Sequence, residues 1–129
     1  MSYLNICQKI FKQDANQFFA VINPAAYEHW KNLDPKIWLV EGVHQFSVRA
    51  VKHFTNDQGS LYLPAQIKNM KIAEKFTAGK LNIFGSITAI GNVYGIDFKV
   101  FDEQNNSRNQ IVIANGKIYI AKLEDPNNE

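Results

Sequence analysis

Between Phe84 and Asp102 the chain reads FGSITAIGNVYGIDFKVFD, two runs of β-branched and aromatic residues flanking Gly91-Asn92. A two-residue Gly-Asn loop of type II′ matches the twist of the strands it joins and fixes their register. Ile90 then faces Val93, Ala89 faces Tyr94, Ile87 faces Ile96, and Gly85 faces Phe98, whose ring covers the glycine. A second hairpin is expected in IVIANGKIYIAKL, where an Asn115-Gly116 turn of type I′ would pair Ile113 with Ile118 and Ile111 with Ile120. The polar stretch DEQNNSRN joins the two hairpins.

Strand alternation sorts these side chains onto two faces. One collects Leu81, Ile83, Gly85, Ile87, Ala89, Tyr94, Ile96, Phe98, Val100, Ile111, Ile113, Ile118 and Ile120, a core face that requires a helical cover. The other mixes Ser86, Thr88, Asp97, Lys99, Gln110 and Lys117 with Phe84, Ile90, Val93, Phe101, Val112 and Tyr119. A solvated antiparallel face alternates more cleanly than this. Those last six residues are therefore the candidate partner-binding surface, with a second copy of the chain or another protein as the expected partner. Strand twist, or cover by residues 64–78, is the competing explanation.

Upstream, the spacing of Cys7, Phe11, Ala15, Phe18 and Ile22 predicts a helix over 2–22, capped by Ser2 and stopped at Asn23-Pro24. Asn23 as N-cap and Pro24 at the first position open a second helix, with Tyr27, Trp30 and Leu33 or Asp34 along one side, ended by Asp34-Pro35. From Lys36, KIWLVEGVHQFSVRAVKHF reads as strand, interrupted at Glu41-Gly42. His44, Phe46, Val48, Ala50 and Phe54 share one of its faces, and Gln45, Ser47, Arg49 and His53 the other. After the turn TNDQGS and a short strand SLYL, the segment 64–78 reads as a helix opened by Pro64 and closed by Gly79. The expected fold class is α+β: two N-terminal helices packed on a curved, mainly antiparallel sheet of about five to six strands. One domain spans 1–129, with a frayed tail at 124–129.

This order of elements resembles the NTF2-like fold, a curved sheet wrapped around helices. The resemblance implies a pocket between sheet and helices and dimerisation through the outer sheet face, but no single activity, since such folds host isomerases, dehydratases and non-catalytic modules alike. His44 and Tyr94 are the polar handles such a pocket would offer to a small apolar ligand. Proton transfer needs a carboxylate or histidine held by a second polar group. Asp97 falls by parity on the wrong face, and nothing in the sequence brings Asp14, Glu28 or Glu41 to a pocket.

Composition removes other classes. Fourteen basic against twelve acidic residues leave a net charge of +2, too weak by itself to imply a polyanion partner. One cysteine gives no disulfide framework and suits a reducing compartment. The N-terminus lacks the basic-then-apolar pattern of a signal peptide, and no run is long enough to cross a membrane, so a cytoplasmic protein is expected. No zinc spacing links Cys7 with His29, His44 and His53, and DEQNNS lacks the glycine and glutamate of a calcium loop. Gly91 and Gly95 make no phosphate loop, so no cofactor or metal is expected. On a helix, Lys68, Lys71, Lys75 and Lys80 would track phosphates only weakly, with Glu74 among them. The function expected is a small non-catalytic binding protein of the neutralising, immunity or inhibitor type, acting through protein contact. A pocket protein or enzyme for an apolar ligand is the alternative, and a weak nucleic-acid binder the third.

Overall fold

A computed structural model describes residues 6–23, 33–74, 80–102 and 112–123. Its described strands are β1 (Phe11–Asp14), β2 (Gln17–Ile22), β3 (Tyr62–Ile72), β4 (Leu81–Ile90), β5 (Val93–Asp102) and β6 (Val112–Lys122). Between β2 and β3 lies the helix α1 (Pro35–Thr55). The strands form one antiparallel sheet in the order β1-β2-β4-β5-β6-β3. The architecture is α+β, with a single helix among the described residues rather than two at the N-terminus.

The β4–β5 hairpin has the register its turn dictates: Ile90 pairs with Val93, Ala89 with Tyr94, Ile87 with Ile96 and Gly85 with Phe98. Gly91 sits at φ 61°, where a side chain would be strained. The inward row Leu81, Ile83, Ile87, Ile96, Phe98, Val100, Ile113, Ile118 and Ile120 is buried. The partner of Asn115-Gly116 is different. β6 runs straight through both residues, with Gly116 opposite Phe98 and Asn115 opposite Lys99. A Cβ on Gly116 would lie 3.0 Å from the Met70 Cα and 3.1 Å from the Phe98 ring. That glycine therefore admits a neighbouring strand and a ring, and makes no turn. Ile111 and residues 103–110 before it lie outside the described residues.

Three further expectations are corrected. Residues 11–22 are a hairpin, β1 and β2, and not a helix. Phe18, Ala20 and Ile22 point inward and Gln17, Phe19 and Val21 do not, a period of two that the helical spacing had masked. Most of the second expected helix, and the tail 124–129, lie outside the described residues. The segment from Lys36 is helix, not strand. Asp34 caps it by accepting from the Lys36 amide at 3.0 Å, and Pro35 takes the first turn, so the pair opens a helix where it was read as ending one. Trp38, Leu39, Val43, Phe46, Ala50 and Val51 form its buried stripe. Finally, Tyr62–Ile72 is an edge strand paired with β6, so residues 64–72 do not roof the outer face.

Helix and sheet are fitted together by two glycines. A Cβ on Gly42 of α1 would meet Ile22 of β2 at 2.8 Å, and one on Gly85 of β4 would meet Phe46 of α1 at 2.7 Å. Phe46, not Phe98, fills the space that Gly85 leaves. The resulting core joins α1 to β2, β4, β5 and β6.

Candidate functional site

Polar side chains interrupt the cover that α1 gives the sheet along one line, Glu41, Gln45 and Arg49, each four residues after the last and so on one side of the helix. All three are half-buried. Gln45 and Arg49 face the segment before β1, which runs beside β2 through an antiparallel bridge between Cys7 and Ile22. The Gln45 Oε1 accepts from the Ile6 and Cys7 amides at 2.9 and 3.0 Å. With its oxygen so occupied, Gln45 turns its Nε2 to the Glu41 Oε1 at 3.1 Å. Arg49 donates to the Cys7 carbonyl. Glu41 is thereby a half-buried carboxylate held in one orientation by an amide, with no second hydrogen-bond partner among the described residues. Burial pushes the Cys7 thiol up to about 11 despite the opposing charge and hydrogen bond of Arg49. A thiol so far above neutral pH is not a nucleophile.

A second carboxylate, Asp57, sits just past the other end of α1 and is bound differently. Asn56 ends the helix in the left-handed region at φ 53°. The Asp57 side chain accepts from the Ser60 amide and the Tyr62 hydroxyl, both at 3.1 Å, and lies 3.3 Å from the Lys122 ammonium. Tyr62 also contacts the Thr55 hydroxyl at 3.1 Å. Hydrogen bonds from Ser60, and then from Lys122 and Tyr62, hold this carboxyl well below the usual range. Asp57 in turn raises the Lys122 ammonium. Asp57 ties the helix end to β3 and β6.

His44 is half-buried on α1, beside Gln45. Tyr94 packs edge-on against Phe54 and Tyr62, with centroids 6.3 and 6.1 Å away. Phe54 lies ten residues beyond His44 on the helix, about 15 Å at the helical rise. The two expected pocket handles therefore do not meet. On the outer face, Phe84 stacks on Phe19 at 5.7 Å and meets Phe101 edge-on at 5.9 Å. Ile90, Val93 and Val112 are exposed, while Tyr119 lies beneath Lys68 and Lys117. Among the described residues no three His, Cys, Asp or Glu side chains gather as metal ligands, and no helix is long and apolar enough to cross a membrane. The residues that sequence reasoning missed are Gln45 and Arg49, placed there on a strand face. Their signal was the four-residue spacing with Glu41, which appears only when 35–55 is read as helix.

No protein-family model matches the chain, and no curated protein does. Solved structures do. YhdA of Lactococcus lactis, described as a candidate thioesterase, superposes with a TM-score of 0.68 at 12% identity, covering 92% of this chain and 91% of its own. AziG of S. sahachiroi gives 0.66 at 14% identity, over 91% and 90%. The thioesterase HI1161 of Haemophilus influenzae gives 0.62 at 13% identity, over 93% and 82%. The shared architecture is the hotdog fold, a sheet around one helix. It replaces the NTF2-like expectation, whose element order rested on helices that are absent from 11–22 and 64–72. It also overturns the reading of a non-catalytic immunity or inhibitor module, since thioesterases are what several solved proteins of this architecture are described to be. The nucleic-acid alternative loses its geometry, because Lys68 and Lys71 lie on a strand and form no helical row.

Proposed function

We propose that the chain is a hotdog-fold enzyme that hydrolyses an acyl thioester of the acyl-CoA class, with Glu41 as its general base. The observation that carries this reading is the architecture shared with thioesterase structures over about nine tenths of this chain. The position of Glu41 supports it. A carboxylate on the central helix, fixed by Gln45, is suited to take a proton from water as the water oxygen attacks the thioester carbonyl. Collapse of the tetrahedral adduct expels the thiolate, which takes up the proton, and the products are a carboxylic acid and a free thiol. The chain self-associates in this reading. β3 is an edge strand of eleven residues, unpaired on one side among the described residues and with Leu63 exposed, and a second copy would satisfy that edge.

The test is release of free thiol from a series of acyl-CoA esters of increasing chain length. Hydrolysis by the wild type, reduced about 10²- to 10⁴-fold in Glu41→Gln with an unchanged melting temperature, supports the proposal. No turnover across the series, or full turnover by Glu41→Gln, overturns it. A monomeric mass by sedimentation would remove the self-association.

A further inference from the structure

The outer face of the sheet carries a feature unrelated to Glu41. An open groove of about 990 Å³ crosses it from β2 to β3, within the size range of small-molecule sites. The register lays two rows across it: Phe84, Lys99 and Asn115, with Phe19 just beyond the lining, and Gln17, Ser86, Asp97 and Lys117, with Lys68 just beyond. The β3 wall is irregular: the register shifts between Lys68 and Lys71, and Asn69 takes a φ of 53°. Such a bulge re-aims side chains, and here Asn69 and Lys71 line the groove.

Its charge is one-sided. Lys68 and Lys117 both approach the Tyr119 ring, at 5.6 and 5.7 Å, so two ammonium groups are held around one aromatic surface. Asp97 reaches Lys117 only at 3.9 Å and is largely exposed. Among the described residues Lys71 and Lys99 have no carboxylate partner. At the other end lies an aromatic platform, Phe84, backed by Phe19 and then Phe11 at centroid spacings of 5.7 and 5.1 Å. A second copy docked here would set four lysines and one aspartate against the same set, which like charges oppose. An acyl chain would leave amide and ammonium groups desolvated. A ligand with a planar ring and a compact negative charge satisfies both ends.

We propose that this groove binds a nucleotide, its phosphates among Lys71, Lys99 and Lys117 and its base against Phe84. The site is separate from the one proposed for hydrolysis, because the sheet, with Phe46 of α1 behind Gly85, lies between them.

Calorimetric titration at low ionic strength with ADP, adenosine and inorganic pyrophosphate tests it. ADP is expected to bind saturably and more tightly than either fragment, and more weakly as salt rises. Lys99→Ala and Lys117→Ala should each weaken ADP roughly tenfold. Phe84→Ala should weaken ADP and adenosine and spare pyrophosphate; if it unfolds the chain, the two exposed-face lysine variants decide alone. Thiol release from acyl-CoA should be unchanged in Lys99→Ala, so the two proposals fail separately. Absence of saturable ADP binding overturns the site. So does pyrophosphate binding equal to ADP, or displacement of ADP by oligonucleotides with affinity growing with their length, which would mark a surface for polyanions.

Discussion

The two ends of α1 hold carboxylates in opposite conditions. Glu41, in its second turn, is gripped on one side by a single amide, its one hydrogen-bond partner among the described residues. Asp57, just past its last turn, is enclosed by Ser60, Tyr62 and Lys122. Both are half-buried and both are hydrogen-bonded, so burial and bonding alone do not mark a reactive group. What separates them is saturation. A carboxylate whose acceptor sites are filled by donors from three residues is stabilised as the anion and is a poor base, whereas one oriented by a single donor keeps a lone pair to use.

The largest expected effect comes from exchanging these roles by mutation. Glu41→Gln should abolish most thioester turnover while leaving the urea midpoint near that of the wild type, and Asp57→Asn should do the reverse. Similar losses of turnover in both variants would erase the distinction. Next in size is truncation of the helix between the two ends: Phe46→Ala empties the space over Gly85 and should cost about 3–5 kcal/mol in denaturant unfolding. Gln45→Ala should cost about 1–3 kcal/mol, because it strands the Ile6 and Cys7 amides, and should lower kcat through a freed Glu41 rotamer. Gln45→Glu cannot donate to Glu41 when ionised and should not restore the rate.

The smallest effect is pH-dependent. The Asp57 carboxyl titrates lower in the folded chain than in the unfolded one, so its contribution is fully present above the ordinary carboxylate value of about 4 and is lost as pH falls below it. The stability gap between wild type and Asp57→Asn, read by urea unfolding, should therefore be constant near neutrality and close in strong acid. A gap that persists there would assign the difference to shape and not to charge.

The β4–β5 hairpin was legible to the residue because its information is local: Gly91 and Asn92 fix the turn, and the register follows. The helix was not, because 35–55 carries Ile, Val, Phe and Trp in numbers that suit a strand, and only packing on a completed sheet selects the 3.6-residue stripe. Residues 11–22 failed in the mirror sense, with phenylalanines at spacings that satisfy both periods. Asn115-Gly116 shows a third cause. Its glycine answers the approach of Met70 and Phe98, which are distant in sequence. The candidate site inherited these errors: Glu41 was noticed as a carboxylate, but its alignment with Gln45 and Arg49 exists only on a helix.

The paired notches of Gly42 and Gly85 bear on how this molecule can move. Ile22 fills a gap in the helix while Phe46 fills one in the sheet, a tongue and groove cut in both directions. Sliding α1 by one turn, about 5.4 Å, would carry Phe46 off its recess and drive another side chain into Ile22. The helix is thus a fixed spindle, keyed to the sheet at two points and strapped by Gln45 and Arg49 to the Ile6–Cys7 backbone beside it.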